Sequence, residues 1–393
     1  MHVAIIGGGI VGTSAAAFLA GEGAGVTAFE REGIAAGASG RNSGVIQHPF
    51  DPALVALYRE TVEIYRSLDL EAVPTGFRLD AEPAGLLLAT PWLGTAEARA
   101  RELARIHPHL APEVLDAGEL HRLEPSIAPG MAACRVEIGY PVIPSAPTYA
   151  MATLAERRGA VIRQGRGASL LIDGGRCRGV IVEGRSIEAD AVVVTAGPWT
   201  PEIVDPTGRW RPIGRVWGVV VETLLADPPR HVIENAELDE ALATDPLAAV
   251  GAGVGGEGRE PVSAGPAHDA GSSSFSLVTA GGVSVVGSTF LDAEPDPAAW
   301  VEPLLAGGAT YVPGIADAPI REVRLCARPT SRDGRPLIGA VPGIEGLFVC
   351  AGHGPWGITT GPGSARLIAD LVLGRTPEIP AALDAARFGP ARA

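Results

Sequence analysis

The sequence predicts an α/β fold: a doubly wound, Rossmann-like nucleotide-binding domain with a second, sheet-rich domain inserted into it. Three observations carry this. Residues 1–30 read as strand, glycine turn, helix and strand, a βαβ unit. Two more strongly apolar strands, 190–195 (DAVVVT) and 346–351 (GLFVCA), lie far along the chain, so the nucleotide domain is assembled from separated segments. The stretches between them carry the turn signals and short β-rich runs of a sheet.

Taken in order, residues 3–6 (VAII) form a short apolar strand that ends in glycine, 10–21 a helix of small and apolar residues, and 26–30 the second strand. Residues 52–69 have helical spacing through Leu54, Leu57, Ile64 and Leu68, as do 95–107, with strands expected over 76–90 between them. Residues 147–158 read as a helix. Short strands follow at 160–163, 168–173 and 178–183, with turns at Asp173-Gly174-Gly175 and Glu183-Gly184. Residues 234–274 are rich in Gly, Ala, Pro and acid and read as an irregular insertion. Residues 275–289 form a hairpin around Gly281-Gly282, and 360–373 the last helix. The nucleotide domain is expected from 1–75, 139–205 and 321–393, and the second domain from 76–138 and 206–320.

Bulk composition narrows the function. The 393 residues are 46% hydrophobic and 19% charged, enough for two domains with a sizeable core. The net charge is −14, which argues against nucleic-acid or anionic-membrane partners, since both need clustered basic residues. All 31 basic residues are arginine. Cys134, Cys177, Cys326 and Cys350 are scattered without a CxxC pair, so neither a disulfide framework nor a zinc site is indicated, and no other metal site is expected. A reducing, cytoplasmic setting is the default. The first 20 residues have no basic leader and are broken by GGG, and no apolar run reaches membrane-spanning length.

Gly7-Gly8-Gly9-Ile10-Val11-Gly12 fits GxGxxG in the context the motif needs, after a strand and opening a helix. Gly7 permits the tight turn, Gly9 lets a pyrophosphate approach the backbone, and Gly12 lets helix and strand pack closely. The helix N-terminus favours the phosphate charge. Glu30 ends the second strand, placed to accept hydrogen bonds from a ribose hydroxyl. The motif alone does not separate FAD from NAD.

Three blocks resemble the FAD-dependent amine oxidoreductases that include D-amino acid oxidase, glycine oxidase and sarcosine oxidase. They are residues 3–44, ending in Gly37-Ala38-Ser39-Gly40-Arg41-Asn42-Ser43-Gly44; Ala191–Trp199 (AVVVTAGPW); and Arg328–Gly339 (RPTSRDGRPLIG) with Gly352–Ile358 (GHGPWGI). The resemblance implies FAD. It implies cofactor contacts from Arg31, Ser39, Arg41, Asn42, Ser43, Gly44, Ala168, Gly197, Trp199, Gly352, His353, Gly354, Trp356, Gly357 and Ile358. The residues agree in that no second GxGxxG is present, and Gly352–Gly357 is another glycine-rich turn able to offer N–H groups to a flavin. The RNSGVI stretch also resembles enzymes that oxidise L-2-hydroxyglutarate, which makes 2-hydroxy-acid oxidation the alternative reaction. A flavoprotein subunit without independent activity is the third reading.

By the same resemblance Arg328 binds the substrate carboxylate and is the catalytic residue, because a guanidinium forms two parallel charged hydrogen bonds with it. The alternative is a structural ion pair with an acid such as Asp333. Phe275 stands where glycine oxidases place a carboxylate-holding tyrosine, and Pro355 where they have a second arginine. Both departures favour a larger or more apolar amine, such as an N-substituted glycine, over glycine itself. Phe275 reads equally as core, and His48 as either a pocket-lining or a surface residue. Cys326 matches the position that sarcosine oxidases bond to the flavin, although a buried free thiol is the ordinary case. The implied reaction is amine to imine by hydride transfer, followed by hydrolysis, with electrons passing to O2 or another acceptor. Sarcosine oxidases stabilise the oxygen step with a lysine. This chain has none, so an arginine, a histidine or the backbone must supply that field.

Overall fold

The strand His2–Ile6 has no polar side to show to solvent: Val3, Ala4 and Ile5 are fully buried. Such a strand belongs in the middle of a parallel sheet covered on both faces. It pairs in parallel with Gly25–Glu30 on one side, Ile6 opposite Phe29, and with Ala191–Val194 on the other, Ile6 opposite Val194. In the computed structural model, which describes residues 1–70, 77–236 and 273–390, these strands form the centre of a six-stranded sheet. Its order is Leu337–Ala340, Leu347–Ala351, Ala191–Val194, His2–Ile6, Gly25–Glu30, Val161–Gln164, with only the first strand antiparallel.

The helix Ile10–Gly21 is buried from Ile10 to Ala20, which its alanines permit on every side. It packs on Ala146–Arg157 and on Gly357–Val372. The second contact is close because a Cβ at Gly361 would lie 3.1 Å from Val11 and 3.2 Å from Ile10.

The chain separates into two compact units. The first is Met1–Ala81, Val142–Arg215 and Ala327–Ala393; the second is Glu82–Pro141 and Val216–Cys326. Beside its main sheet, the first unit holds a three-stranded antiparallel sheet of Ser169–Asp173, Arg176–Val182 and Arg185–Glu188. Its two turns have positive φ at both central residues, 57° and 78° at Gly174 and Gly175, 50° and 75° at Glu183 and Gly184. This is the backbone a two-residue hairpin requires.

The second unit is built on an eight-stranded sheet in the order Ile320–Ser331, Ile213–Thr223, Val283–Thr289, Ser273–Ala280, Val232–Asn235, Leu86–Thr90, Ala132–Val136, Glu113–Leu115. The hairpin Ser273–Thr289 turns at Gly281-Gly282, again with both φ positive. The helix Val301–Ala309 covers one face, and Gly308 lets it approach Phe275, Val286 and Ile315.

Several elements differ from the sequence reading. Of the described residues 77–90, only Leu86–Thr90 is a strand, because Pro83 cannot donate to a ladder and Gly85 turns at φ +87°. The last helix begins at Gly357 rather than 360 and carries Pro362 inside it. The long strands Ile213–Thr223 and Ile320–Ser331 were not foreseen. Most of the 234–274 insertion lies outside the described residues. Among the described residues no helix is long and apolar enough to cross a membrane.

A Cβ at Gly12 would lie 2.0 Å from the Gly7 carbonyl oxygen, a contact between backbones that cannot relax cheaply. Gly12→Ala is expected to lower the unfolding midpoint sharply and to abolish flavin retention on purification. Gly94→Ala, in a helix with nothing within 4 Å, is expected to change stability by less than about 1 kcal/mol, and to favour the fold. Thermal unfolding and flavin content of the two variants check this.

Candidate active site

The glycine turn is held from three directions. Gly7 N donates to Phe29 O at 2.9 Å. Gly7 has φ +122°, and a Cβ there would lie 2.5 Å from Thr195 O. The Thr195 hydroxyl donates to the carbonyls of Ile6 and Gly7. Above the turn, the Cβ position of Gly9 is bounded only by the Ser39 side chain, whose hydroxyl accepts from Ile10 N at 3.0 Å. Helix Ile10–Gly21 therefore opens with its positive end toward the turn, and with no acidic residue in its first turn.

Glu30 is fixed where its strand ends. Oε2 accepts from Gly8 N at 2.7 Å and Oε1 from Glu32 N at 2.8 Å, and each oxygen keeps a second lone pair for a hydroxyl donor. Next to it the Arg31 guanidinium lies 3.9 Å over the Trp199 ring, and Gly167, beside Ala168, approaches Arg31 Cβ. Gly197, at φ +54°, starts the turn that carries Trp199. These residues fit FAD. The cradle that a Cβ at Gly9 would crowd suits a pyrophosphate, and the acceptor at Glu30 suits a ribose.

Residues 38–44 form a tied loop. Asn42 Nδ2 donates to the carbonyls of Ala38 and Ser39, and its Oδ1 accepts from Gly44 N. A Cβ at Gly44 would lie 2.3 Å from Val142 O. Asn42 thus shapes the loop through its side chain, while Ser43 is half-buried and Arg41 exposed beside it.

The second glycine-rich turn is built differently. Gly352 and Gly354 take φ +88° and +54° around His353, which is 2% exposed. Helix Gly357–Val372 then starts, with Trp356 and Ile358 in its opening turn. Pro362 has no N–H for the Ile358 carbonyl, and the Tyr65 hydroxyl donates to that oxygen instead at 2.7 Å. Gly363 N donates to Thr61 Oγ1 at 3.0 Å. Tyr65 and Thr61 come from helix Val55–Leu70 and were not found in the sequence, which holds no signal for such distant pairs.

Arg328 is half-buried on the strand Ile320–Ser331, on the same face as Cys326 by strand alternation. Two residues on, Thr330 bridges to His353, so this strand runs beside the second turn. Asp333 is engaged elsewhere, taking Arg387 on both oxygens at 2.8 and 2.9 Å. Burial raises its carboxyl, but the Arg387 pairing and the donors Arg335 N and Ser331 Oγ outweigh that and hold it below the ordinary range. Arg335 in turn forms a bidentate pair with Asp51.

His48 is buried, not a surface residue, and sits edge-on to Tyr58 at 5.2 Å. Cys326 is buried and in no disulfide. Phe275 belongs to the second unit. It stacks on Tyr311 at 4.4 Å in the core beneath helix Val301–Ala309. Its neighbour Ser276, also buried, precedes the core residue Leu277 and takes the opposite face by alternation.

Burial lowers His353 to about 4. Between the ordinary value near 6.5 and 4, the unfolded chain binds a proton that the folded chain does not. His353 therefore adds no penalty above pH 6.5 and costs up to about 3 kcal/mol as the pH falls to 4. His353→Asn is expected to lose less stability than the parent between pH 6.5 and 4.5, read by denaturant unfolding at each pH; equal losses would contradict it.

Comparison with known proteins places this geometry. The chain is 28% identical to a glycine oxidase of Pseudomonas aeruginosa over 99% of its own length and 98% of that protein. It is 29% identical to a D-amino acid dehydrogenase of Cereibacter sphaeroides over 80% of its length, spanning 66% of that relative. Among solved structures, the iminodiacetate oxidase IdaA of Chelativorans sp. BNC1 superposes with a TM-score of 0.78 at 27% identity, covering 99% of this chain and 98% of that one. The sequence profile of the FAD dependent oxidoreductases matches residues 2–371, and the chain belongs to that family.

Proposed function

We propose that this FAD-dependent oxidoreductase oxidises a carboxylate-bearing amine (glycine, an N-substituted glycine or a D-amino acid) to an imine that water then hydrolyses. The observation that carries the reading is the place of Arg328. It stands half-buried two residues from Thr330, which pairs with His353 in the second glycine-rich turn, while Asp333 is taken by Arg387. Among the amines, the likeness to an iminodiacetate oxidase favours an N-substituted glycine, and the proline at position 355 favours a substrate other than glycine.

The bound FAD supplies a hydride acceptor. The chain supplies orientation. Arg328 grips the carboxylate through two parallel N–H donors, which fixes the adjacent carbon and presents its C–H bond. Burial lowers the basicity of His353, so it is a poor acceptor for the substrate's ammonium proton at pH 7. The amine therefore loses its ammonium proton to solvent before it reacts. Electrons leave to O2 or another acceptor, and any positive field for that step comes from arginine or from backbone N–H groups, since the chain has no lysine.

Turnover of sarcosine, iminodiacetate or D-alanine, faster than that of glycine, is expected to release an oxo acid together with ammonia or an amine. Formation of a 2-oxo acid only from 2-hydroxy acids would overturn the reading. Arg328→Lys keeps the charge but loses the fork, and is expected to lower kcat/KM by about 10²-fold with flavin content unchanged. An Arg328→Met variant with parental kcat/KM would contradict the assignment.

A further inference from the structure

Around the first turns of helix Gly357–Val372, three buried residues form a polar chain that the sequence did not connect. His353 Nε2 lies 3.1 Å from Ser364 Oγ. That hydroxyl lies 2.9 Å from the Thr360 carbonyl, to which it donates. Ser364 and Thr360 are fully buried and His353 is 2% exposed, so water does not compete for these bonds. A serine hydroxyl has one proton. Spent on Thr360 O, it leaves Ser364 only a lone pair to offer His353, and Nε2 must then be the protonated ring nitrogen. Burial keeps the ring neutral, so Nδ1 carries an unprotonated lone pair.

An imidazole lone pair that no protein group uses is free to accept from a ligand. Among the described residues none donates to Nδ1, while Nε2 is held by Ser364 Oγ. The residues on either side, Gly352 and Gly354, have no side chain to shield it, and the Thr330 bridge ties its backbone to the strand of Arg328. We propose that Ser364 is a positioning residue: with the Thr360 carbonyl it locks His353 in the Nε2–H tautomer, so that Nδ1 accepts a hydrogen bond from an N–H or O–H of the bound flavin cofactor. Arginine binds the substrate and His353 addresses the cofactor, which explains a histidine that never needs to titrate. The inference rests on the reading that this chain holds FAD at the two glycine-rich turns.

Histidine-selective ¹⁵N NMR of the holoenzyme tests it. The expected His353 signature is a protonated Nε2 and an unprotonated Nδ1. Removing FAD should move the Nδ1 resonance and leave Nε2 in place. Ser364→Ala should mix the two tautomers and weaken FAD binding about three- to tenfold, and Ser364→Thr, which restores the hydroxyl, should recover both. An Nδ1–H tautomer in the parent holoenzyme overturns the proposal, as does an Nδ1 resonance that ignores FAD or moves only when an amine is added. The parent spectra decide the matter even where Ser364→Ala does not fold. Amine turnover assayed on the same sample keeps the two claims apart: its absence would sink the proposed reaction, and the tautomer would still be read.

Discussion

Gly7, Gly12 and Thr195 meet within the width of one side-chain carbon. A Cβ at Gly12 would stand 2.0 Å from Gly7 O and 2.6 Å from Thr195 Oγ1, and one at Gly7 2.5 Å from Thr195 O. Three chain segments converge there: the first strand, the first helix and the strand Ala191–Val194. Their approach sets how close the helix N-terminus comes to the sheet, and so where phosphate charge is favoured. Glu30 is tied into the same knot through Gly8 N. The cofactor reading, the domain architecture and the placement of the second turn all descend from this contact.

The second turn solves a different problem. Its helix keeps a proline in the third position after Thr359, and the helix Val55–Leu70 repairs the damage with the Tyr65 and Thr61 hydroxyls. Gly363 makes that repair possible, because a Cβ there would lie 2.4 Å from Leu57 O. An irregular helix opening is thereby held as firmly as a regular one. Rigidity at this point matters for a reaction that depends on orientation, since the strand of Arg328 is joined to the turn through Thr330 and His353.

What the sequence made legible was local. Apolar runs such as Val3–Ile6 and Ala191–Val194 announce buried parallel strands. The glycine turns at 174–175, 183–184 and 281–282 announce hairpins, because the backbone sign they need is decided within two residues. The glycine motif and Glu30 were legible for the same reason. The long-range partners were not. Tyr65 reaches a carbonyl 293 residues away and Thr61 an N–H 302 residues away, and no short-range pattern records such pairs. Phe275 shows the limit of alignment by residue type. A one-residue step along a strand changes the face, and the structure puts Phe275 with Leu277 in the core under a helix. Arg328 was found by resemblance. Asp333, its neighbour in sequence, is paired with Arg387.

Anaerobic mixing of the oxidised holoenzyme with substrate tests the central claim most directly, because it watches the flavin itself and needs no assumption about the electron acceptor. The account predicts rapid loss of the visible flavin absorbance with sarcosine, iminodiacetate or another amine that bears a carboxylate, and no loss with 2-hydroxy acids. Bleaching by hydroxy acids alone, or a purified protein that carries no flavin, would contradict it.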